Sequence, residues 1–271
     1  MSLIDTHELQ LNSDNFKIID CSWHMPQANR DGYEEYKQKH IPNSIFFDLD
    51  KNSKKDTDLP HMLVNSEEWR EIVSKMGIEN DDQIVIYDNS NVISSCRCWY
   101  NFIYFGHRPE LVKVLDGGFE KWVNEKRPTS IDIKEIKKTN YKVKEIRDLV
   151  KNKKEIDENI CNNKFNLIDA RSFERFNGEV KEPRVGLRSG NIKNSTCIPF
   201  NLLINPDKTF KNKKEISEVF SKNLENISSN NVVFSCGSGV TACVLALAYS
   251  IINDKYLPVI YDGSWAEYGK N

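Results

Sequence analysis

Residues 232–252 read Val232-Val233-Phe234-Ser235-Cys236-Gly237-Ser238-Gly239-Val240-Thr241-Ala242-Cys243-Val244-Leu245-Ala246-Leu247-Ala248-Tyr249-Ser250-Ile251-Ile252. The first three residues are β-branched and aromatic, which suits a strand buried on both faces of a parallel sheet. The stretch from Val240 is apolar on nearly every side, as expected of a helix packed between a sheet and other elements. A glycine-bearing turn joins the two. Strand, tight turn and helix in this order are the unit of a doubly wound α/β sheet.

That unit occurs twice. Phe16-Lys17-Ile18-Ile19-Asp20 is answered by Phe165-Asn166-Leu167-Ile168-Asp169, 149 residues on. Ile84-Val85-Ile86-Tyr87-Asp88 is answered by Val232-Val233-Phe234-Ser235-Cys236, 148 residues on, and Leu115-Asp116-Gly117-Gly118-Phe119 by Tyr261-Asp262-Gly263-Ser264-Trp265, 146 residues on. Order and spacing both persist, which marks an internal repeat. We therefore expect an α/β protein of two tandem domains, each a parallel β-sheet flanked by helices. The boundaries are placed at residues 1–130, a linker at 131–145 and residues 146–271. The segment around 126–160, with its interleaved Lys, Glu and Asn, reads as a linker followed by one charged surface helix.

Composition narrows the function classes. In 271 residues, 38 Lys+Arg stand against 40 Asp+Glu, so the chain as a whole has no basic footprint for nucleic acid. No apolar run approaches the ~18 residues a membrane span needs, and the first residues lack the basic and apolar segments of a secretion signal. Seven irregularly spaced cysteines argue against a disulfide framework and for a reducing compartment, with the cytoplasm as the expected location. Cys96-Arg97-Cys98 lacks a second pair with zinc-site spacing, so a packed helical pair is expected there and not a metal site or redox switch; no metal or organic cofactor is expected.

The chemistry concentrates in Cys236-Gly237-Ser238-Gly239. A cysteine at the end of a parallel strand opens onto the sheet edge where ligands bind. Gly237 and Gly239 can adopt positive φ, so amide N–H groups can converge on one point, and the following helix adds its positive end. Both favour a thiolate, the nucleophilic form. The bland alternative is a small buried hydrophobe in a turn. At the matching place the first repeat has Asp88-Asn89-Ser90-Asn91, with no thiol and no glycine pair, the asymmetry of one active and one supporting domain. A cysteine phosphatase would need an arginine six positions after the nucleophile. Ala242 stands there.

With this loop, HIPNSIFFDLD (40–50), LPHML (59–63), VLDGGFEKW (114–122), LIDARSFERF (167–176), EPRVGLRSG (182–190) and YDGSWAEY (261–268), the chain resembles the rhodanese superfamily of tandem-domain type over essentially its whole length. Its loop is similar to that of the branch acting on 3-mercaptopyruvate; thiosulfate-preferring members typically carry Arg-Lys after the cysteine. The resemblance implies a sulfurtransferase that moves sulfur from 3-mercaptopyruvate through a Cys236 persulfide to a small thiol, thioredoxin or cyanide. Thiosulfate as the main donor is the alternative, and a non-enzymatic tandem binding module the third reading. The resemblance also implies Arg175 and Arg184 as holders of the donor's carboxylate and carbonyl, a task suited to always-charged bidentate groups. Gly237, Gly239, Val240 and Thr241 complete the donor-binding loop. Asp50, His61 and Ser238 match a proposed proton-handling triad, whose alternative is a structural hydrogen-bond network. The first repeat is expected to contribute Asp50 and His61 to a site centred on the second. Because Gly237 and Ser238 are neutral, only backbone amides are expected to oppose the repulsion between a dianionic donor and the thiolate. Finally, Asn191-Ile192-Lys193-Asn194 stands where relatives have a Pro-Gly turn, which puts the local backbone in doubt.

Overall fold

The structure is a computed structural model that describes residues 2–270. It divides into two compact units. One holds the chain up to Lys54, Leu63–Ile146 and Pro206–Thr209; the other holds Lys55–Met62, Arg147–Asn205 and the chain from Phe210 onward. His61, which by sequence lies in the first repeat, thus belongs to the second unit. The segment that follows the first repeat, up to Ile146, belongs to the first unit: Lys144 and Ile146 donate N–H bonds to the carbonyls of Phe105 and Tyr104.

The first unit is built on β1 (Leu3–Ile4), β2 (Phe16–Asp20), β3 (Ile45–Phe46), β4 (Gln83–Tyr87) and β5 (Val112–Leu115), with α1 (Thr6–Leu11), α2 (Gly32–Gln38), α3 (Ser66–Lys75), α4 (Ser95–Tyr104) and α5 (Gly118–Asn124). Every strand pair is parallel, in the order β1-β5-β4-β2-β3. The second unit repeats this with β6 (Val150–Lys151), β7 (Asn166–Asp169), β8 (Thr196–Cys197), β9 (Val232–Ser235) and β10 (Ile260–Tyr261), ordered β6-β10-β9-β7-β8 and again parallel. Its helices are α6 (Lys153–Asn162), α7 (Phe173–Asn177), α8 (Lys213–Ser221), α9 (Ala242–Ile252) and α10 (Ser264–Tyr268). The expected charged helix is α6, started by an Asn152–Glu155 capping box that satisfies two otherwise orphaned amides.

Individual hydrogen bonds recur at matched places within each unit. Cys21 N–H donates to Tyr87 O (2.8 Å) and Ala170 N–H to Ser235 O (2.8 Å); Phe119 N–H donates to Asp88 O and Trp265 N–H to Cys236 O, both at 2.9 Å. Asp88 and Cys236 are therefore structural equivalents. The Pro-Gly turn also survives its sequence loss. Ser44 N–H bonds Ile41 O and Ser195 N–H bonds Ile192 O, both at 3.1 Å, around Asn43 (φ 66°) and Asn194 (φ 63°). Asparagine tolerates the left-handed conformation, so the turn needs neither proline nor glycine. The doubt about this backbone is removed.

In the second unit β9 lies at the centre of the sheet, and Ala242–Tyr249 of α9 is buried without interruption. Phe220, Phe234, Tyr249 and Tyr256 pack edge to face behind them, with ring centroids 4.8–6.1 Å apart. Each such ring removed from water stabilises the fold by roughly 1.5–3 kcal/mol. The crossover carrying Cys236 is thus anchored at both ends.

Candidate active site

Cys236 directly follows β9 and is 1 % exposed. Its N–H donates to Ser264 Oγ (3.2 Å) and its carbonyl accepts from Trp265, so the start of α10 fixes its backbone from both sides. Gly239 has the expected positive φ, +76°. Gly237 does not, and its glycine has another cause. A Cβ there would lie 3.2 Å from Arg175 Nη2 and 3.6 Å from Arg184 Nη1. The absent side chain leaves room for two guanidinium groups. Val240 is buried and Thr241 half-buried, the latter being the last residue before α9. Cys243 donates its thiol to Gly239 O (3.2 Å), tying the loop to the helix.

Ser238 is the meeting point of the polar groups. Its Oγ lies 3.0 Å from His61 Nδ1 and accepts from Arg184 Nη2 at 3.3 Å. His61 is buried and holds φ +62°, a left-handed conformation uncommon for residues other than glycine. Asp50 belongs to the first unit, where Oδ2 accepts from Trp23 Nε1 (2.9 Å).

The arginines correct one expectation. A loop neutral in sequence is not a site without cations, because Arg175 from α7 and Arg184 from the following segment are brought beside Gly237. Behind them runs an ion-pair chain that sequence reasoning missed. Glu182, its side chain 1 % exposed, accepts from Arg175 through both oxygens (Oε1–Nε 3.2 Å, Oε2–Nη2 2.5 Å) and from Arg171 Nη1 through Oε1 (2.8 Å). Arg171 also pairs with Asp169 through Nε and Nη2 (2.9 and 2.8 Å to Oδ2). Burial works against the charge on Arg171, but Asp169 and Glu182 hold its pKa above the ordinary value. Arg171 and Arg188 both lie against the Trp265 ring, each guanidinium carbon 4.4 Å from the centroid. The signal available in the sequence was the contrast between Asp169-Ala170-Arg171 and Asp20-Cys21-Ser22 at matched positions.

The other thiols stand in different surroundings. Burial pushes the Cys197 thiol up to about 12 and raises Cys21 well above the usual range. Cys96 and Cys98 are packed within α4, and Cys161 is exposed on α6.

The family model described as rhodanese-like domain matches residues 4–125 and again 152–271. The chain belongs to the rhodanese family. It is 34% identical to the 3-mercaptopyruvate sulfurtransferase of Mus musculus, over 95% of this chain and 86% of the relative. It is 35% identical to the mitochondrial thiosulfate/3-mercaptopyruvate sulfurtransferase 1 of Arabidopsis thaliana, over 98% and 74%. Thiosulfate sulfurtransferase of Mus musculus is 33% identical over 94% and 85%. The crystal structure of the Escherichia coli 3-mercaptopyruvate sulfotransferase SseA superimposes with a TM-score of 0.86 at 28% identity, over 98% of this rhodanese-family chain and 99% of that one. Among the described residues no helix is long and apolar enough to cross a membrane.

Proposed function

We propose that this rhodanese-family protein is a sulfurtransferase that takes sulfur from 3-mercaptopyruvate onto Cys236 and passes it to a thiol acceptor. The observation that carries the reading is Ser238: one hydroxyl, two residues from the thiol, bonded to a buried imidazole and to one of two guanidinium groups grouped at Gly237. The Cys236 thiolate attacks the donor sulfur, and the bond between that sulfur and C3 breaks. The electron pair departs as the pyruvate enolate. Cys236 is left as the S–SH persulfide bearing the donor thiol's own proton, and C3 takes up a second proton, returned when the acceptor thiol ionises in the next half-cycle, to give pyruvate. Arg175 and Arg184 hold the donor's carboxylate and carbonyl, where charge develops in the enolate. His61 and Ser238 move the proton, and Gly237, Gly239, Val240 and Thr241 shape the loop around the sulfur. Asp50's part rests on the resemblance alone.

An acceptor thiolate then attacks the outer sulfur and restores the Cys236 thiolate, a ping-pong cycle without net oxidation. A small thiol or thioredoxin in the cytoplasm is the proposed acceptor. Thiosulfate is the second reading for the donor, favoured by the two guanidinium groups beside the loop and by relatives that carry its name.

The test uses both donors with cyanide as common acceptor. Ser238→Ala, His61→Gln and Asp50→Asn are each expected to lower turnover of 3-mercaptopyruvate by about a hundredfold. Thiosulfate should be far less affected, because sulfite leaves as a stable anion that needs no proton. Equal losses with both donors would make the three residues a structural network. A wild-type protein inert toward both donors would overturn the function.

A further inference from the structure

The guanidinium of Arg175 stands beside the sulfur-carrying loop, but its charge is not presented alone: both oxygens of Glu182 lie on it. Glu182 cannot be explained as the counter-ion of Arg171 only, since Asp169 already pairs with that guanidinium through two nitrogens. Burying a carboxylate to 1 % exposure is costly unless its partners are fixed. Here the partner that reaches the loop is Arg175. A site for a dianion gains from every uncompensated positive charge near the nucleophile, whereas a monoanionic α-keto acid needs one bidentate hold on its carboxylate.

We propose that Glu182 is a specificity-determining residue, which offsets the charge of Arg175 so that the site favours a monoanionic sulfur donor over a dianionic one. The proposal rests on the sulfurtransferase reading. Glu182 acts through Arg175, as a positioning residue, and touches neither donor nor the reacting sulfur.

The full-length protein is compared with Glu182→Gln and Glu182→Asp, measuring kcat/KM for thiosulfate and for 3-mercaptopyruvate with cyanide as the common acceptor. Glu182→Gln keeps shape and removes charge; it is expected to raise the thiosulfate-to-mercaptopyruvate ratio roughly fivefold. Glu182→Asp keeps the charge and should hold the ratio near the wild-type value. If Glu182→Gln is not recovered folded, Glu182→Thr, which drops the charge and leaves room for water between the guanidinium groups, is read the same way. Equal losses with both donors, or a shift toward mercaptopyruvate, overturn the proposal and leave the sulfurtransferase reading standing. Wild-type protein that uses neither donor overturns that reading instead.

Discussion

The crossover from β4 to α4 and the crossover from β9 to α9 occupy the same place in the two units, and they treat negative charge in opposite ways. After β4 the chain supplies its own anion. Asp88 accepts from Ser90 N–H and Ser90 Oγ (both 2.8 Å) and from Ser95 N–H (2.9 Å) at the start of α4. After β9 the equivalent residue is Cys236, followed by Gly237, which has no side chain, and by the Ser238 hydroxyl. Donors at such a strand-to-helix turn attract an anion in either case. In the first unit a carboxylate satisfies them permanently; in the second the position carries the Cys236 thiol.

The strand beside each crossover repeats the contrast. Asp20 and Asp169 both end the second strand of their unit, yet Asp169 is ion-paired with Arg171, while Asp20 is met by Ser22 N–H and Oγ (2.9 and 2.5 Å). Burial pushes the Asp20 carboxyl up to about 7, despite the bonds from Ser22. The unit whose crossover carries Cys236 pairs Asp169 and Glu182 with arginines. In the other unit, a buried aspartate is held by a serine and not by a cation among the described residues.

Three changes would break or sharpen this contrast. Cys236→Ser should have the largest effect, abolishing sulfur loading from either donor, read as the absence of a mass gain of about 32 Da on the protein. Substantial turnover in that variant would dissolve the distinction between the two crossovers. Asp88→Ala should act on stability, leaving the Ser90 and Ser95 donors without their acceptor at a cost of about 2–3 kcal/mol, measured by denaturant unfolding. A loss under about 0.5 kcal/mol would mean that water replaces the carboxylate and that the first crossover is not closed by it.

Asp20→Asn should give the smallest effect at acid pH and the most informative pH dependence. The folded pKa lies above the unfolded one, so the folded state binds more protons between the ordinary aspartate value and about 7. The stability this group allows is fully present below that window and is lost as pH rises through it. The slope is at most about 1.4 kcal/mol per pH unit. Asp88 and Tyr87 face the same carboxyl. The amide of the variant cannot titrate, so the slope should flatten while the acid-side stability stays near the wild-type value. An unchanged slope would assign the pH dependence to other groups.

By itself the sequence determined the repeat, the parallel α/β architecture, the crossover that bears the glycine loop, and the difference between Cys236 and Asp88. These are legible because hydrophobic periodicity and turn residues are local properties, repeated here at a nearly constant separation. Through the resemblance it also pointed to Arg175, Arg184, Ser238 and His61. Only the tertiary structure showed which of them meet. It showed that Gly237 is needed for space and not for its φ, that a turn without proline keeps its shape through Asn194, and that His61 belongs with the second unit. It also showed that a neutral loop is flanked by cations, and that Glu182 lies on one of them. Each of these depends on groups far apart in sequence meeting at close range. The strength of such contacts lies in burial and direction, which no local pattern of residues encodes.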